Sequence, residues 1–281
     1  MVDSATLYIV ATPIGNLGDM THRAIKVLQE VAIIAAEDTR HSQRLLQHYQ
    51  INTPLLSLHD HNEKQRAERL VEKLQNGQSI ALISDAGTPL ISDPGYTLVS
   101  RCREAGIKVV PIPGPCAAVA ALCAAGLPTD RFRFEGFLPV KEMARRASLA
   151  SLQGETATVV FYEAPRRIRE TLSWLLEELG EARAVVLAKE LTKTFETFVA
   201  GGAREVLAWL DADEVHQKGE FVLMVGPAPV TPTEIPQEAL LLLKRLAEEL
   251  PLKKAAAITA EQFGLKKNAL YQIGLTFNAE T

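Results

Sequence analysis

The sequence predicts an α/β protein built in two halves, with a small helical extension at its C-terminal end. Three observations carry this expectation. Short apolar runs alternate with helical segments through the first half, the pattern of a mostly parallel sheet with helices on its faces. Two Gly- and Pro-rich loops follow such runs in succession, Ser84 to Gly95 (S-D-A-G-T-P-L-I-S-D-P-G) and Pro111 to Ala118 (P-I-P-G-P-C-A-A). Beyond Pro227, closely spaced prolines give way to a continuous helical pattern.

The first apolar run, Leu7 to Ala11, breaks into T-P-I-G-N-L-G-D over Thr12 to Asp19, and a helix begins near Thr21. Val31 to Ala36 reads as a second buried strand, ending in Glu37-Asp38-Thr39-Arg40 ahead of a helix over His41 to Tyr49. Glu63 to Asn76 is amphipathic, with Ala67, Leu70, Val71 and Leu74 on one face and Gly77 as its stop. Ser79 to Ile83 enters the first Gly/Pro loop, and Val109-Val110 the second. The Ala-rich stretch Cys116 to Ala125 reads as a tightly packed helix, and Gly126 to Thr129 as the exit from this half.

In the second half the strand candidates are Phe132 to Phe137, Thr158 to Tyr162, Ala184 to Ala188, Thr194 to Ala200 and Glu220 to Val225. Helices are expected near Lys141 to Ser151, Arg167 to Leu179 and Arg204 to Leu210, a mix less purely parallel than the first half. Pro227 to Thr233 is a stiff linker, since closely spaced prolines favour extended chain. Three helices follow, Glu238 to Leu250, Leu252 to Phe263 and Lys266 to Ile273, with Gly264 at a helix-turn-helix corner. The expected domains are residues 1–118, residues 119–228, and a linker with helical tail over 229–281.

Composition narrows the function classes. A net charge of −4, with 47% hydrophobic and 23% charged residues, is ordinary for a soluble globular protein and leaves any nucleic-acid contact to a local patch. Cys102, Cys116 and Cys123 lack paired spacing, which argues against a disulfide scaffold and a zinc site and fits a reducing cytoplasm. The N-terminal residues carry no secretory pattern, and no apolar run is long enough to span a membrane.

Each Gly/Pro loop lies where open α/β sheets hold ligands, at the carboxyl end of a strand. The loops match neither the dinucleotide fingerprint G-x-G-x-x-G nor a P-loop, and no G-x-S-x-G elbow or H-E-x-x-H appears. His41, His59 and His61 share a region without metal-ligand spacing, so no metal is expected. More informative are polar groups at strand ends: Glu37 to Arg40, Asp85, Tyr162 to Arg167, Lys189 to Lys193 and Lys218 to Glu220. Their common placement predicts a single cleft, although Asp38 and Asp85 also suit the capping of helices or turns.

Eight blocks in order carry a resemblance: Tyr8 to Asp19, A-E-D-T-R (Ala36 to Arg40), Ser84 to Gly95, P-G-P-C-A (Pro113 to Ala117), F-E-G-F-L-P (Phe134 to Pro139), F-Y-E-A-P-R-R (Phe161 to Arg167), A-K-E-L-T-K (Ala188 to Lys193) and K-G-E-F-V-L (Lys218 to Leu223). Over nearly its whole length the chain resembles the tetrapyrrole methylase superfamily, and within it the branch that methylates ribosomal RNA. The resemblance implies a homodimer of two-domain subunits that binds S-adenosylmethionine between its halves. It implies 2′-O-ribose methylation of a cytidine in the decoding region of 16S ribosomal RNA, with the small-subunit RNA as partner. Pro13, Gly87, Thr88, Pro89, Ile91, Cys116, Ala117, Tyr162, Ala188, Gly219, Glu220 and Phe221 would surround the cofactor. Thr88 replaces an acid found in relatives, and Cys116 stands where serine is common.

Methyl transfer to a ribose hydroxyl is an in-line displacement that needs alignment and removal of a proton. Glu37, Asp38, Glu163, Lys189 and Glu190 are the candidates for that proton, with Arg40 and Arg166 suited to phosphate. Arg131, Arg133, Lys141, Arg145, Arg146, Arg166, Arg167 and Arg169 make the middle of the chain locally basic. From these, Arg145, Arg146, Arg166 and Arg167 join Lys253, Lys254, Lys266 and Lys267 of the tail as candidate RNA contacts. Two other readings stand beside this one: a tetrapyrrole C-methyltransferase of the same fold, and a non-catalytic nucleic-acid-binding protein. The tail alternatively serves only as a helical packing element.

Overall fold

The computed structural model describes residues 2–59, 62–229 and 235–277; His61 and the linker residues 230–233 lie outside them. The chain divides into two compact units, one reaching to Pro227 and the other starting at Ala228.

The first unit holds two five-stranded sheets. Its first sheet comprises β1 (Thr6–Val10), β2 (Ile33–Ala36), β3 (Leu55–Ser57), β4 (Ile80–Ile83) and β5 (Lys108–Ile112), in the order β3-β2-β4-β1-β5 and parallel throughout. Every residue of β4 is buried, as expected for a strand covered on both faces. Helices α1 (His22–Glu30) and α2 (Thr39–His48) cover one face, where Ala24, Val27, Leu28 and Leu46 pack on Tyr8 and Val10. Helices α3 (Glu63–Gln75) and α4 (Tyr96–Glu104) cover the other, where Ala67, Leu70, Leu74 and Leu98 pack on Leu7 and Leu82. Cys102 lies in this second layer, and burial pushes its thiol up to about 11, so it is a packing residue.

The second sheet comprises β6 (Phe132–Phe137), β7 (Thr158–Glu163), β8 (Ala184–Lys189), β9 (Thr197–Gly202) and β10 (Phe221–Val225), in the order β6-β7-β10-β8-β9. Only β6 and β7 run parallel; the other pairs are antiparallel. Helices α6 (Glu142–Ala150), α7 (Pro165–Leu179) and α8 (Ala203–Ala212) cover one face, and α5 (Ala117–Ala124) the other. The expected division after residue 118 falls inside α5, whose Ala118, Ala121 and Leu122 pack on β7, β8 and β10. Their burial against the second sheet ties this helix to that half.

Two elements had no counterpart in the sequence reading, β3 and α4. β3 is only three residues long, too short for an apolar period to register. α4 begins at a cap that has no side chain, Gly95, held at φ 131°. Its exposed amides are instead satisfied from another helix: the Glu63 carboxylate accepts from Thr97 N at 2.8 Å and Leu98 N at 3.3 Å. Glu63 thus fixes the end of the Ser84 to Gly95 loop. Glu63→Ala is expected to cost about 1 kcal/mol, read as a shift of the denaturation midpoint, whereas Glu63→Gln keeps an acceptor and loses less.

The second unit consists of α9 (Gln237–Glu249), α10 (Leu252–Phe263) and α11 (Lys267–Thr276) around Ile235, Ala239, Leu243, Ala255, Ala256 and Leu270. Gly264 closes α10 in the left-handed conformation at φ 64°, and Leu265 N donates back to Ala260 O at 2.9 Å, which gives the tight corner expected from the sequence. α10 and α11 approach closely at Gly274, where a β-carbon would lie 2.3 Å from Leu252. Among the described residues no helix is long and apolar enough to cross a membrane.

Candidate functional site

A parallel sheet delivers all its carboxyl ends to one edge, and a cavity of about 460 Å³ lies along that edge of the first sheet. The loop after β1 contributes Ile14, the end of β2 Glu37, the loop after β4 Asp85 to Thr88 and Ile91 to Asp93, and the start of α5 Cys116 and Ala117. From the second sheet come Phe137, Tyr162 to Pro165, Leu191 and Glu220 to Val222. The single cleft expected from the strand-end polar groups is therefore present.

Its floor is a pair of backbone hydrogen bonds. Thr12 N donates to Gly87 O at 2.8 Å and Gly87 N returns to Thr12 O at 3.0 Å, joining the loops after β1 and β4. The Thr12 hydroxyl also donates to Ser84 O, and the Thr88 hydroxyl donates to Pro115 O at 2.9 Å, which brings in the second Gly/Pro loop. Gly87 sits at φ 85°, and a β-carbon there would stand 3.2 Å from Ile14 Cγ2. Leu90 and Ser92, at φ 72° and 69°, are held in the same left-handed region that side-chain-bearing residues avoid. Gly87→Val is expected to break the floor: ligand affinity of the cavity falls steeply in calorimetry while the far-ultraviolet circular dichroism keeps its native shape.

A second constraint crosses from one sheet to the other. Lys193 Nζ donates to Glu190 Oε1 at 2.9 Å and to Glu220 Oε2 at 3.0 Å, and Glu190 Oε1 also accepts from Glu220 N at 2.9 Å. The Lys193 stem lies so close to Gly15 that a β-carbon there would meet its Cγ at 2.7 Å, and one on Gly219 would meet Glu190 Oε1 at 2.7 Å. Burial opposes the charge of Glu190, but hydrogen bonds from Lys193 and the Glu220 amide outweigh it and hold the carboxyl below its ordinary value. Burial also opposes the charge of Lys193, and the two carboxylates outweigh it and hold the ammonium above its ordinary value. A depressed carboxyl stabilises the fold above its unfolded pKa and ceases to do so as pH falls through the folded value. A raised ammonium stabilises it below its unfolded pKa and fails as pH rises through the folded one. The clasp is thus closed at neutral pH. Thermal midpoints of the wild type and Lys193→Met are expected to differ at neutral pH and converge as pH falls below about 4.

The candidate residues divide by the period of the strands. Tyr162, Val222 and Ala188 point toward α5, whereas their neighbours Glu163, Phe221 and Lys189 form a row across β7, β10 and β8 toward the opposite face. Tyr162 is fixed there: its hydroxyl accepts from Ala118 N at 3.1 Å, and burial pushes its phenol well above the usual range, so it stays protonated. Glu163 is fully buried and accepts from Thr171 Oγ1 at 2.9 Å, Ala164 N at 2.7 Å and Arg167 Nη2 at 2.6 Å. This makes it an anchor for the start of α7. Lys189 is buried at the end of β8 and is not in the cavity wall. Asp38 caps α2, accepting from Arg40 N at 2.8 Å, a bond that with its weaker partners holds its carboxyl below the ordinary value. Asp85 Oδ1 in turn accepts from Asp38 N at 3.0 Å. Asp38 thus caps a helix, one of the two readings its position allowed, Asp85 ties the β4 loop to that cap, and Arg40 reaches into solvent.

Of the residues expected around a cofactor, Gly87, Thr88, Ile91, Cys116, Ala117, Tyr162, Glu220 and Phe221 line the cavity. Pro13, Pro89, Ala188 and Gly219 are next to lining residues or their strand partners but do not line the cavity themselves. Ile14, Ser92, Asp93, Phe137 and Leu191 line it without having been singled out; all are uncharged or acidic residues inside blocks chosen for their neighbours, and no spacing marks them. The lining holds Glu37, Asp85, Asp93, Glu163 and Glu220 and no Lys, Arg or His. Such a site favours a neutral or cationic organic ligand over a phosphate.

The locally basic middle is mostly paired within the protein. Arg145 is buried, bound to Glu170 and stacked 4.7 Å from the Trp174 ring, which removes it as an RNA contact. Arg167 joins Glu163 to the carbonyls of Leu138 and Pro139, and Arg146 pairs with Glu177 and Glu178. Arg133 and Arg169 are likewise paired, with Glu135 and Glu155 and with Asp211. Arg166 remains exposed at the start of α7, as do Lys253, Lys254, Lys266 and Lys267 in the second unit. No group of three or more His, Cys, Asp or Glu among the described residues is arranged to hold a metal ion.

Comparison with known proteins decides the family. Residues 6–207 match the Tetrapyrrole (Corrin/Porphyrin) Methylases. The chain belongs to the tetrapyrrole methylase family. A second match, to the RsmI C-terminal HTH domain, spans residues 233–277. The tetrapyrrole methylase chain described here is 58% identical over 269 residues to "Ribosomal RNA small subunit methyltransferase I" of Escherichia coli O157:H7, covering 96% of this chain and 94% of that protein. The protein of the same name from Pseudomonas aeruginosa is 53% identical over 276 residues, 98% of each chain. Among solved structures, diphthine synthase aligns with a TM-score of 0.60 at 13% identity over 80% of this chain and 91% of its own. Uroporphyrin-III-C-methyltransferase from Thermus thermophilus aligns with a TM-score of 0.56 at 20% identity over 79% and 94%. These two likenesses concern the tetrapyrrole methylase fold alone.

Proposed function

We propose that this chain is an S-adenosylmethionine-dependent methyltransferase of small-subunit ribosomal RNA, acting on the ribose 2′-hydroxyl of a cytidine in the decoding region of 16S RNA. The observation that carries the reading is the 58% identity to a relative of that name along 96% of the chain, helical tail included. The reading includes a homodimer, a cytoplasmic location and the assembled subunit as partner, all carried over from the resemblance.

The residues fit the cofactor on their own chemistry. The carboxylates of the lining suit the positive sulfonium and ammonium groups, with two of them, Glu163 and Glu220, already balanced by Arg167 and Lys193 from behind the wall. Gly87, Ala86 and Ala117 admit close approach of the ligand to backbone donors and acceptors, and Ile14, Leu191 and Phe221 supply apolar surface. When bound, the sulfonium supplies a methyl group activated for in-line transfer to an oxygen nucleophile. The protein's own task is to align that oxygen, exclude water and take its proton. Glu163 anchors the start of α7, Asp38 caps α2, Glu190 belongs to the Lys193 clasp, and Lys189 is not in the cavity wall. Glu37 lines the cavity just after β2, and on that placement it is assigned as the group that accepts the hydroxyl proton.

Labelled-methyl transfer to small subunits lacking the modification tests the reaction, and mapping of the product RNA tests the site. Methyl incorporation at a base, or none, overturns the reading. Glu37→Gln is expected to lower kcat by about a hundredfold with cofactor affinity retained. In the tail, replacing Lys253, Lys254, Lys266 and Lys267 by Ala is expected to weaken subunit binding, to flatten its salt dependence and to spare cofactor affinity.

A further inference from the structure

One rim of the cavity carries features that cofactor binding does not use. Phe137, the last residue of β6, lines the cavity and is 58% exposed. Its position is nevertheless defined. The ring stands edge-on to Tyr162 with centroids 5.5 Å apart, and Tyr162 is itself edge-on to Phe134 at 5.0 Å. Because the Tyr162 hydroxyl is held by the Ala118 amide, Phe137 is braced on one side by a fixed ring and open to solvent on the other. An exposed aromatic ring gains nothing for the fold from its open side.

Two exposed cations lie on the chain segments next to those that line this rim. Arg166 lies in the first turn of α7, immediately after the cavity-lining Ala164 and Pro165. Lys141 follows the loop whose Leu138 and Pro139 carbonyls accept from Arg167, so both cations stand on segments tied to each other beside Phe137. Among the described residues neither is in an ion pair, although Arg133, Arg145, Arg146, Arg167 and Arg169 all are. An aromatic face with adjacent free cations is what a single-stranded nucleotide requires, the ring for its base and the cations for its phosphates. The acidic interior sets where this happens: phosphates are repelled from the cavity and held at its rim, while an uncharged ribose can enter.

We propose that Phe137 is the stacking platform for the base of the acceptor nucleotide, with Arg166 and Lys141 holding the flanking phosphates. The assignment rests on the RNA methyltransferase reading and adds to it the residue that positions the substrate. It separates the two aromatic neighbours by role, Tyr162 bracing the wall and Phe137 presenting a face.

The test uses the full-length protein with small subunits lacking the modification, and three substitutions: Phe137→Ala, Phe137→Leu and Phe137→Tyr. Phe137→Ala and Phe137→Leu are expected to lower kcat/KM on the order of tenfold or more with unchanged S-adenosylmethionine affinity. Phe137→Tyr, which keeps the aromatic face, is expected to stay near wild type. Arg166→Gln should raise KM and reduce the salt dependence of subunit binding. The proposal is overturned if Phe137→Leu performs as well as Phe137→Tyr, if the loss lies in cofactor affinity, or if Phe137→Ala alters the oligomeric state. Subunit binding measured without turnover separates this from the functional reading. A wild type that binds but transfers no methyl sinks the activity, and equal binding by wild type and Phe137→Ala sinks the platform.

Discussion

The two hydrogen bonds between Thr12 and Gly87 are the constraint on which the cavity depends. They join the loops that leave two neighbouring strands, β1 and β4, and they form only because residue 87 has no side chain and adopts a positive φ. From that bridge the rest follows outward. Thr88 reaches the second Gly/Pro loop, Asp85 reaches the turn into α2, and Glu63 secures the far end through the first amides of α4. Loops this rich in Gly and Pro would otherwise sample many conformations; here each is fastened at several points. The left-handed Leu90 and Ser92 persist because their surroundings leave them no alternative.

Much of the fold could be read from apolar periodicity, which among the described residues marked nine of the ten strands and ten of the eleven α-helices to within a few residues. The two elements that escaped are instructive. β3 is too short to show a pattern, and α4 borrows its cap from Glu63, so no local signal announces where it begins. The site was legible as a place more than as a set of roles. Sequence pointed to strand ends that line the cavity but treated adjacent residues as equivalent, whereas the alternation of strands sends Tyr162 toward α5 and Glu163 beneath α7. Nor does a sequence reveal that Arg145 and Arg167 have partners on neighbouring helices and loops.

Those partners change the electrostatic picture. A run of arginines suggested a basic surface, yet ion pairs fold most of that charge into the second half, and the cavity between the sheets is lined by acids. Arg166 and Lys141 and the lysines of the helical tail are among the cations that stay exposed. Pairing of this kind means that a count of arginines along the chain overstates the positive charge at the surface of the second half.

The row Glu163, Phe221 and Lys189 sits one residue away from the row Tyr162, Val222 and Ala188 on three adjacent strands. Inserting or deleting a single residue within β7 would exchange the faces of that strand, turning the anchored carboxylate toward α5 and the tyrosine into the packed layer under α7. The length of each of these strands is therefore as strong a constraint on the cavity as the identity of any side chain in its wall.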